Sequence, residues 1–161
     1  MSERTVIPTR AHEALRQSND TRYKSRVNQL WEAKEYAFAL LVIWCQIETR
    51  LKLIRYHDKI KDGWPDKLNF IRKTWGPLAR LAAENVDYYA ICFEGNRSMW
   101  QQRNQIAHAA ISIDKAQAEP LREASEWLLS MLDGMKPTRD ALLQKKRKSD
   151  AQIHRKPTGA S

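Results

Sequence analysis

The sequence predicts an all-α protein, a mostly antiparallel bundle of four to five helices. Apolar residues recur at intervals of three and four along most of the 161 residues, and no segment shows the period-2 alternation of a strand. Segments containing Gly, Pro or helix-capping residues separate these amphipathic stretches. Since 42% of the residues are hydrophobic, the chain has enough apolar surface for one core, and we expect one domain.

The first third of the chain predicts an arm and one long helix. Residues 1–20 are polar and mixed in charge, and we interpret them as a flexible arm with a short helix over 10–17. Residues 21–57 contain no Gly or Pro and predict a continuous amphipathic helix. The middle of this helix is apolar on a second side, which indicates either burial all round or a partner packed on that side.

The central segment is divided by turns. Asp62-Gly63-Trp64-Pro65 predicts a turn, followed by a short helix that ends at Gly76-Pro77. Another helical stretch starts near Leu78, is interrupted near Asn85 and stops at Gly95.

Two further helix starts follow. Ser98 and Gln101 have the spacing of a capping box, which predicts a new helix there. The last helix of the core begins either at Asp114, which caps through residue 117, or nearer Glu119, because Pro120 suits a first turn. We leave these alternatives open and expect this helix to end near residues 134–137. The predicted domain therefore covers residues 21–135.

Most of the net charge of +9 lies beyond that domain. Residues 136–161 carry eight basic and two acidic side chains, which leaves a net charge of only +3 for the rest of the chain. We interpret this tail as a brief basic helix followed by disorder. Its run Lys145-Lys146-Arg147-Lys148 would either bind a polyanion such as RNA without sequence preference or remain solvated.

Composition and cysteine usage exclude several classes of protein. The longest apolar run, residues 36–45, is shorter than the roughly 20 residues that cross a bilayer, and the N-terminus has no secretory signal. We expect a cytoplasmic protein without membrane association. Cys45 and Cys92 are expected to be buried, reduced thiols, and no spacing indicates a metal site or another cofactor. Among the tryptophans, Trp64 and Trp100 are expected to be the most exposed.

The segment Arg103-Asn104-Gln105-Ile106-Ala107-His108 is the part of the chain best suited to chemistry. Cleaving RNA without a metal requires a base for the 2′-hydroxyl, an acid for the 5′-oxygen and a cation for the charged phosphorane. Histidine can serve in both proton transfers, and arginine binds phosphate oxygens with two donors. Asn104 lies four residues before His108, on the same helix face, where it could orient the imidazole or contact phosphate.

Arg103 does not share that face, since it lies roughly 140° from His108 around a helix. Its side chain must curl round, the helix must end between the two residues, or a second subunit must complete the site. A two-fold dimer would also bring two copies of His108 together as acid and base. Arg97 and Gln101 extend the polar stripe, which is either an exposed face or a weak RNA-binding groove.

At these residues the sequence resembles the HEPN superfamily, whose signature is an Arg, often followed by Asn, and a His four to six positions after the Arg. Arg103, Asn104 and His108 match this signature. Residues 35–37 and 47–52 are similar to the family's first helix, and residues 113–114 with the helix after them are similar to its last. The resemblance covers about residues 31–134.

The resemblance implies a four- or five-helix bundle, homodimerisation that places two motifs at one interface, and metal-independent endoribonuclease activity in toxin, phage-defence or RNA-processing settings. The implied partners are an RNA substrate, a second copy of the chain, and an antitoxin or regulatory protein. The Gly common after the His is Ala109 here. The Tyr that a partner nucleotidyltransferase modifies in one toxin branch is Ala110, which disfavours that mode of silencing.

Three alternatives stand beside this interpretation. Some HEPN members are non-catalytic, so the chain could be a binding or regulatory module for nucleotide, RNA or protein. His108 could simply cap a helix terminus and Arg103 be a solvated charge. A helical adaptor would use only its basic tail for nucleic acid, and deletion of residues 136–161 would then abolish its activity.

Overall fold

The computed structural model describes residues 6–57 and 81–154. Within these ranges the protein is a bundle of helices with no strand, which confirms the predicted all-α class. The helices are α1 (Thr9–Asn19), α2 (Arg22–Glu32), α3 (Tyr36–His57), α4 (Val86–Phe93), α5 (Met99–Ala109), α6 (Lys115–Met135) and α7 (Arg139–His154). None of these described helices has the length and apolar character needed to span a membrane. The turn and helix predicted over 62–77 lie outside the described residues.

Helix α3 is the centre of the bundle and packs against α1, α2, α5 and α6. Its buried side chains include Leu40, Trp44, Ile47 and Leu51, which repeat at intervals of three and four as a buried helix face requires. Helix α6 covers this face with a matching apolar stripe and also packs on α4. The site described below therefore stands on the most buried element of the described chain.

The prediction of a single helix over residues 21–57 is wrong, because the helix is interrupted between α2 and α3. Lys34 has a left-handed backbone, with φ at 61°. The Glu35 N–H donates to the Leu30 carbonyl at 2.8 Å, and the Lys34 N–H donates to Trp31 at 3.0 Å. These two bonds form the helix end that usually contains Gly, which explains why a sequence without Gly or Pro gave no signal for it.

The N-terminal residues are not a loosely held arm where the structure describes them. Helix α1 packs on α3, and a second apolar cluster forms between them and α7. Its buried members are Ile7, Ala11, Ala14, Leu15, Leu53 and Leu142. The basic helix expected at the start of the tail is present but is not brief, since residues 139–154 form a 16-residue helix held by Leu142. With the arm and tail folded and the long helix divided, the described residues contain more helices than the four or five expected.

A buried arginine of α3 is hydrogen-bonded to both α1 and α6. The Arg50 side chain is 2% exposed, and its Nε donates to Asp133 Oδ1 of α6 at 2.6 Å. Its Nη2 donates to the Ser18 carbonyl at the end of α1 at 3.0 Å, and Nη1 donates to the Gln46 carbonyl at 3.0 Å. Because the charge is paired and hydrogen-bonded, its burial is tolerated.

Candidate active site

Helix α5 carries the Arg103 to His108 segment, and its two ends are defined by local chemistry. Ser98 is the N-cap, and its hydroxyl accepts from the Gln101 N–H at 3.4 Å, as the capping-box spacing predicts. The helix ends after Ala109, where Ala110 takes a left-handed conformation with φ at 47°. His108 therefore lies in the last turn of an unbroken helix.

Aromatic side chains seat α5 on the core. Trp100 lies 6.1 Å from Trp44 of α3 and 6.2 Å from Phe93 of α4, measured between ring centroids. The Trp44 indole N–H donates to the Ser125 hydroxyl of α6 at 2.8 Å. Trp100 is 5% exposed, so the expectation that it is among the most exposed tryptophans is wrong. Its position beside two other rings is a tertiary contact that the helical pattern of α5 does not reveal.

Arg103 points towards α3. Its guanidinium forms an ion pair with Glu48, lies over the Trp100 ring at 4.6 Å, and donates to Asn104 Oδ1 at 3.0 Å. The Arg103 side chain is 21% exposed, and its Nε is buried with no hydrogen-bond partner among the described residues. Burial lowers the pKa of Arg103, although a guanidinium stays charged at neutral pH.

His108 is exposed in the last turn of α5, and Asn104 is exposed beside Arg103, from which its Oδ1 accepts a hydrogen bond. The His108 side chain has no hydrogen-bond or ion-pair partner within the described parts of the chain. The helix is continuous from 103 to 108 and Arg103 is engaged by Glu48, so one protomer does not bring Arg103 and His108 together. The helix does not end between the two residues, and Arg103 pairs with Glu48 rather than extending towards His108.

The residues expected to contact RNA weakly are separated in space. Arg97 and Gln101 are exposed beside α5, and Arg97 lines a cavity of about 730 Å³ together with Gln102, Gln105 and Gln117. The basic run is on α7, where Arg147 and Lys148 are exposed and Lys145 and Lys146 are half-buried. Lys146 also pairs with Asp150 at 3.1 Å. The run is therefore part of a helix that packs on α1 and α3 through Leu142, and not part of α5.

An apolar face of α3 runs towards Arg103 and ends at Cys45. Phe38 is 48% exposed and Cys45 is exposed, while Leu41 and Val42 between them are half-buried. These positions share one helix face, and Glu48 follows one turn after Cys45. The second apolar side of this helix was noted in the sequence, but not its position beside Arg103. The expectation that Cys45 is buried is wrong, whereas Cys92 is buried as expected.

No group of three or more His, Cys, Asp or Glu side chains in the described ranges could hold a metal ion. The chemistry available around α5 is that of a guanidinium, a carboxamide and an imidazole.

No protein-family model, curated protein or solved structure matches this chain. The similarity to HEPN proteins therefore depends on Arg103, Asn104, His108 and the flanking helices alone.

Proposed function

We propose that the chain is a metal-independent endoribonuclease of the HEPN type, with a composite active site at a homodimer interface. The observation that carries the proposal is the exposure of His108 and Asn104 on the last turns of α5. The same helix carries Arg103, whose side chain points towards α3. An imidazole and a guanidinium are the two groups that phosphodiester transesterification needs.

The apolar face of α3 supports the dimer. Phe38, Leu41, Val42 and Cys45 form an apolar face whose Cys45 end lies near Arg103. Apolar surface of this kind is stabilised when a second copy covers it. A two-fold axis near this face would bring two α5 helices together, because an isologous interface joins the same surface of both copies.

The proposed reaction uses one histidine from each protomer. His108 removes the proton of the ribose 2′-hydroxyl, and the 2′-oxygen attacks phosphorus. The bond from phosphorus to the 5′-oxygen breaks, and this oxygen takes a proton from the protonated imidazole of the partner's His108. The products are a 2′,3′-cyclic phosphate and a free 5′-hydroxyl. Arg103 stabilises the negative phosphorane, and Asn104 orients the imidazole or binds a phosphate oxygen.

The test compares the wild type with His108→Ala on mixed RNA in EDTA. We expect fragments with 2′,3′-cyclic phosphate or 3′-phosphate ends from the wild type alone. Intact RNA from a folded, dimeric wild type would overturn the proposal. His12→Ala is the matched control, since His12 is an exposed histidine on α1 and not on α5, and its replacement should leave cleavage unchanged.

One observation favours a second candidate function, a non-catalytic binding or regulatory module. Arg103 is already engaged by Glu48, Asn104 and Trp100, which is how a structural arginine is held. This candidate predicts that Arg103→Ala destabilises the fold while the wild type leaves RNA intact.

The nuclease proposal, by contrast, implies an antitoxin or regulatory partner, because an unrestrained ribonuclease in a toxin or phage-defence setting damages its own cell.

A further inference from the structure

A basic groove lies between α1 and α3, and the packing of α1 on α3 forms it. Its volume is about 710 Å³, and its rim carries Arg10 from α1 with Lys52 and Arg55 from α3. Glu13 is the one carboxylate among the residues that line it, and Glu13 accepts a hydrogen bond from Gln17 at 3.3 Å. Arg10 and Lys52 against Glu13 give the rim of this groove a net positive charge.

The groove also contains an exposed aromatic ring. Tyr56 is 37% exposed at its edge, one turn after Lys52 on α3. Arg10 and Lys52 are exposed and have no ion-pair partner in the described part of the chain. Uncompensated cations next to an accessible ring are the combination that binds single-stranded nucleic acid, in which phosphates pair with the cations and a base stacks on the ring.

The groove lies on the side of α3 that also carries Glu48, the ion-pair partner of Arg103. Lys52 follows Glu48 by one turn, and Tyr56 follows Lys52 by one more, so the three side chains lie along the same side of α3. From Glu48, which holds Arg103, to Tyr56 the helix rises about 12 Å. This length accommodates a few nucleotides of an extended strand.

We infer that the α1–α3 groove binds single-stranded RNA, with Arg10 and Lys52 on phosphates and Tyr56 stacked on a base. The identity of the occupant as RNA rests on the proposed ribonuclease function. The groove would hold the substrate strand on one side of the bond that is cleaved and so determine the length of RNA that the enzyme engages.

The experiment measures binding of a fluorescent ten-nucleotide RNA to the full-length His108→Ala protein, which separates binding from cleavage. In that background Arg10→Gln with Lys52→Gln should raise the Kd about ten-fold or more at 0.1 M salt. The slope of log Kd against log salt should fall by about 1.4, since each lost contact to a single strand contributes about 0.7. Arg26→Gln, which removes a charge from α2 outside the groove, should change neither quantity.

Substitution of the ring tests the stacking contact separately. Tyr56→Ala should raise the Kd about five-fold or more without changing the salt slope, and Tyr56→Phe should retain the parent affinity. All these side chains are exposed, and a circular dichroism spectrum of each variant confirms the fold. Equal Kd values for the parent and the Arg10/Lys52 variant would overturn the inference.

Competition identifies the class of occupant. Polyglutamate or duplex DNA that displaces the RNA at equal charge concentration would overturn the assignment to single-stranded RNA. Failure of the proposed function is distinguishable from failure of the groove. A wild type that leaves RNA intact while the groove variants lose affinity refutes the nuclease alone. Normal cleavage by the wild type, with unchanged affinity in the groove variants, refutes the groove alone.

Discussion

Glu48 of α3 and Arg103 of α5 form an ion pair in which the side chains are 24% and 21% exposed, respectively. The pair joins the central helix of the bundle to the helix that carries the candidate active site. It therefore has two consequences, one for the stability of the fold and one for the orientation of the arginine.

Glu48→Gln should lower the free energy of unfolding by about 1–2 kcal/mol, because it leaves a half-buried guanidinium without its counterion. Urea denaturation at pH 7 measures this change. The matched control is Glu119→Gln, which removes an exposed partner of Lys115 at 3.8 Å and should have no measurable effect. Equal midpoints for Glu48→Gln and the wild type would show that the pair does not hold α5 on α3.

The helix ends around the candidate site could be predicted because capping is local. Asn85 accepts from the Tyr88 N–H at 3.0 Å, as the interruption predicted near this residue requires. Asp114 accepts from the Gln117 N–H at 2.8 Å, which places the start of α6 at the first of the two open alternatives. Pro120 is therefore inside α6, whereas a start nearer Glu119 would have placed it in the first turn.

Contacts between distant segments could not be predicted in the same way. The pairing of Arg103 with Glu48 and the burial of Trp100 depend on how α5 lies against α3, which no local pattern specifies. The docking of α1 uses small side chains such as Ala11 and Ala14, whose periodicity is weak within a polar segment. For this reason the basic groove that contains Arg10 was not visible in the sequence.

Lys34→Gly should raise the free energy of unfolding by about 0.5–1 kcal/mol. Lys34 has φ at 61°, which costs a residue with a side chain roughly 1–2 kcal/mol, and the greater freedom of Gly in the unfolded chain offsets part of the gain. Thermal and urea unfolding measure the change. Ala33→Gly is the control and should destabilise, because Ala33 has φ at −75° and needs no glycine. A loss of stability in Lys34→Gly would contradict the assigned helix end.

Asp133 should make the fold sensitive to acid. Burial raises the pKa of this carboxyl, but the hydrogen bonds and charge of Arg50, with the ammonium of Lys136, outweigh burial and hold the pKa below its ordinary value of 3.8. A lowered pKa in the folded state means that the ionised carboxylate stabilises the protein above pH 3.8. This stabilisation is lost as the pH falls through the folded-state pKa.

Asp133→Asn should therefore lose about 2 kcal/mol at pH 6, less than the 3–5 kcal/mol typical of a fully buried pair because the Asp133 side chain is 40% exposed. The difference from the wild type should shrink as the pH falls below 3.8. Urea unfolding at several pH values measures both effects. Asp150→Asn, which removes a carboxylate from α7, is the control. If the difference in the free energy of unfolding between Asp133→Asn and the wild type were the same at all pH values, the linkage would be refuted.

The two cysteines report on the proposed dimer without reference to RNA. Cys92 is buried, donates to the Ala124 carbonyl at 3.4 Å, and burial raises the pKa of its thiol to about 12, so it should not react with a maleimide in the folded protein. Cys45 is exposed beside Phe38 on the apolar face of α3 and should react. If two copies meet at this face, the labelling rate of Cys45 should fall as the protein concentration rises.

Phe38→Lys should abolish this concentration dependence, because a charge on both copies at a two-fold interface opposes association. Val86→Lys is the matched control, since Val86 is 68% exposed at the start of α4. In this variant the labelling of Cys45 should still slow at high protein concentration. Mass spectrometry of the modified peptide and sedimentation of the same samples measure labelling and association together. A wild type that is dimeric while Cys45 labels at an unchanged rate would place the dimer interface elsewhere, and the two copies of His108 would then lack the apolar face proposed to bring them together.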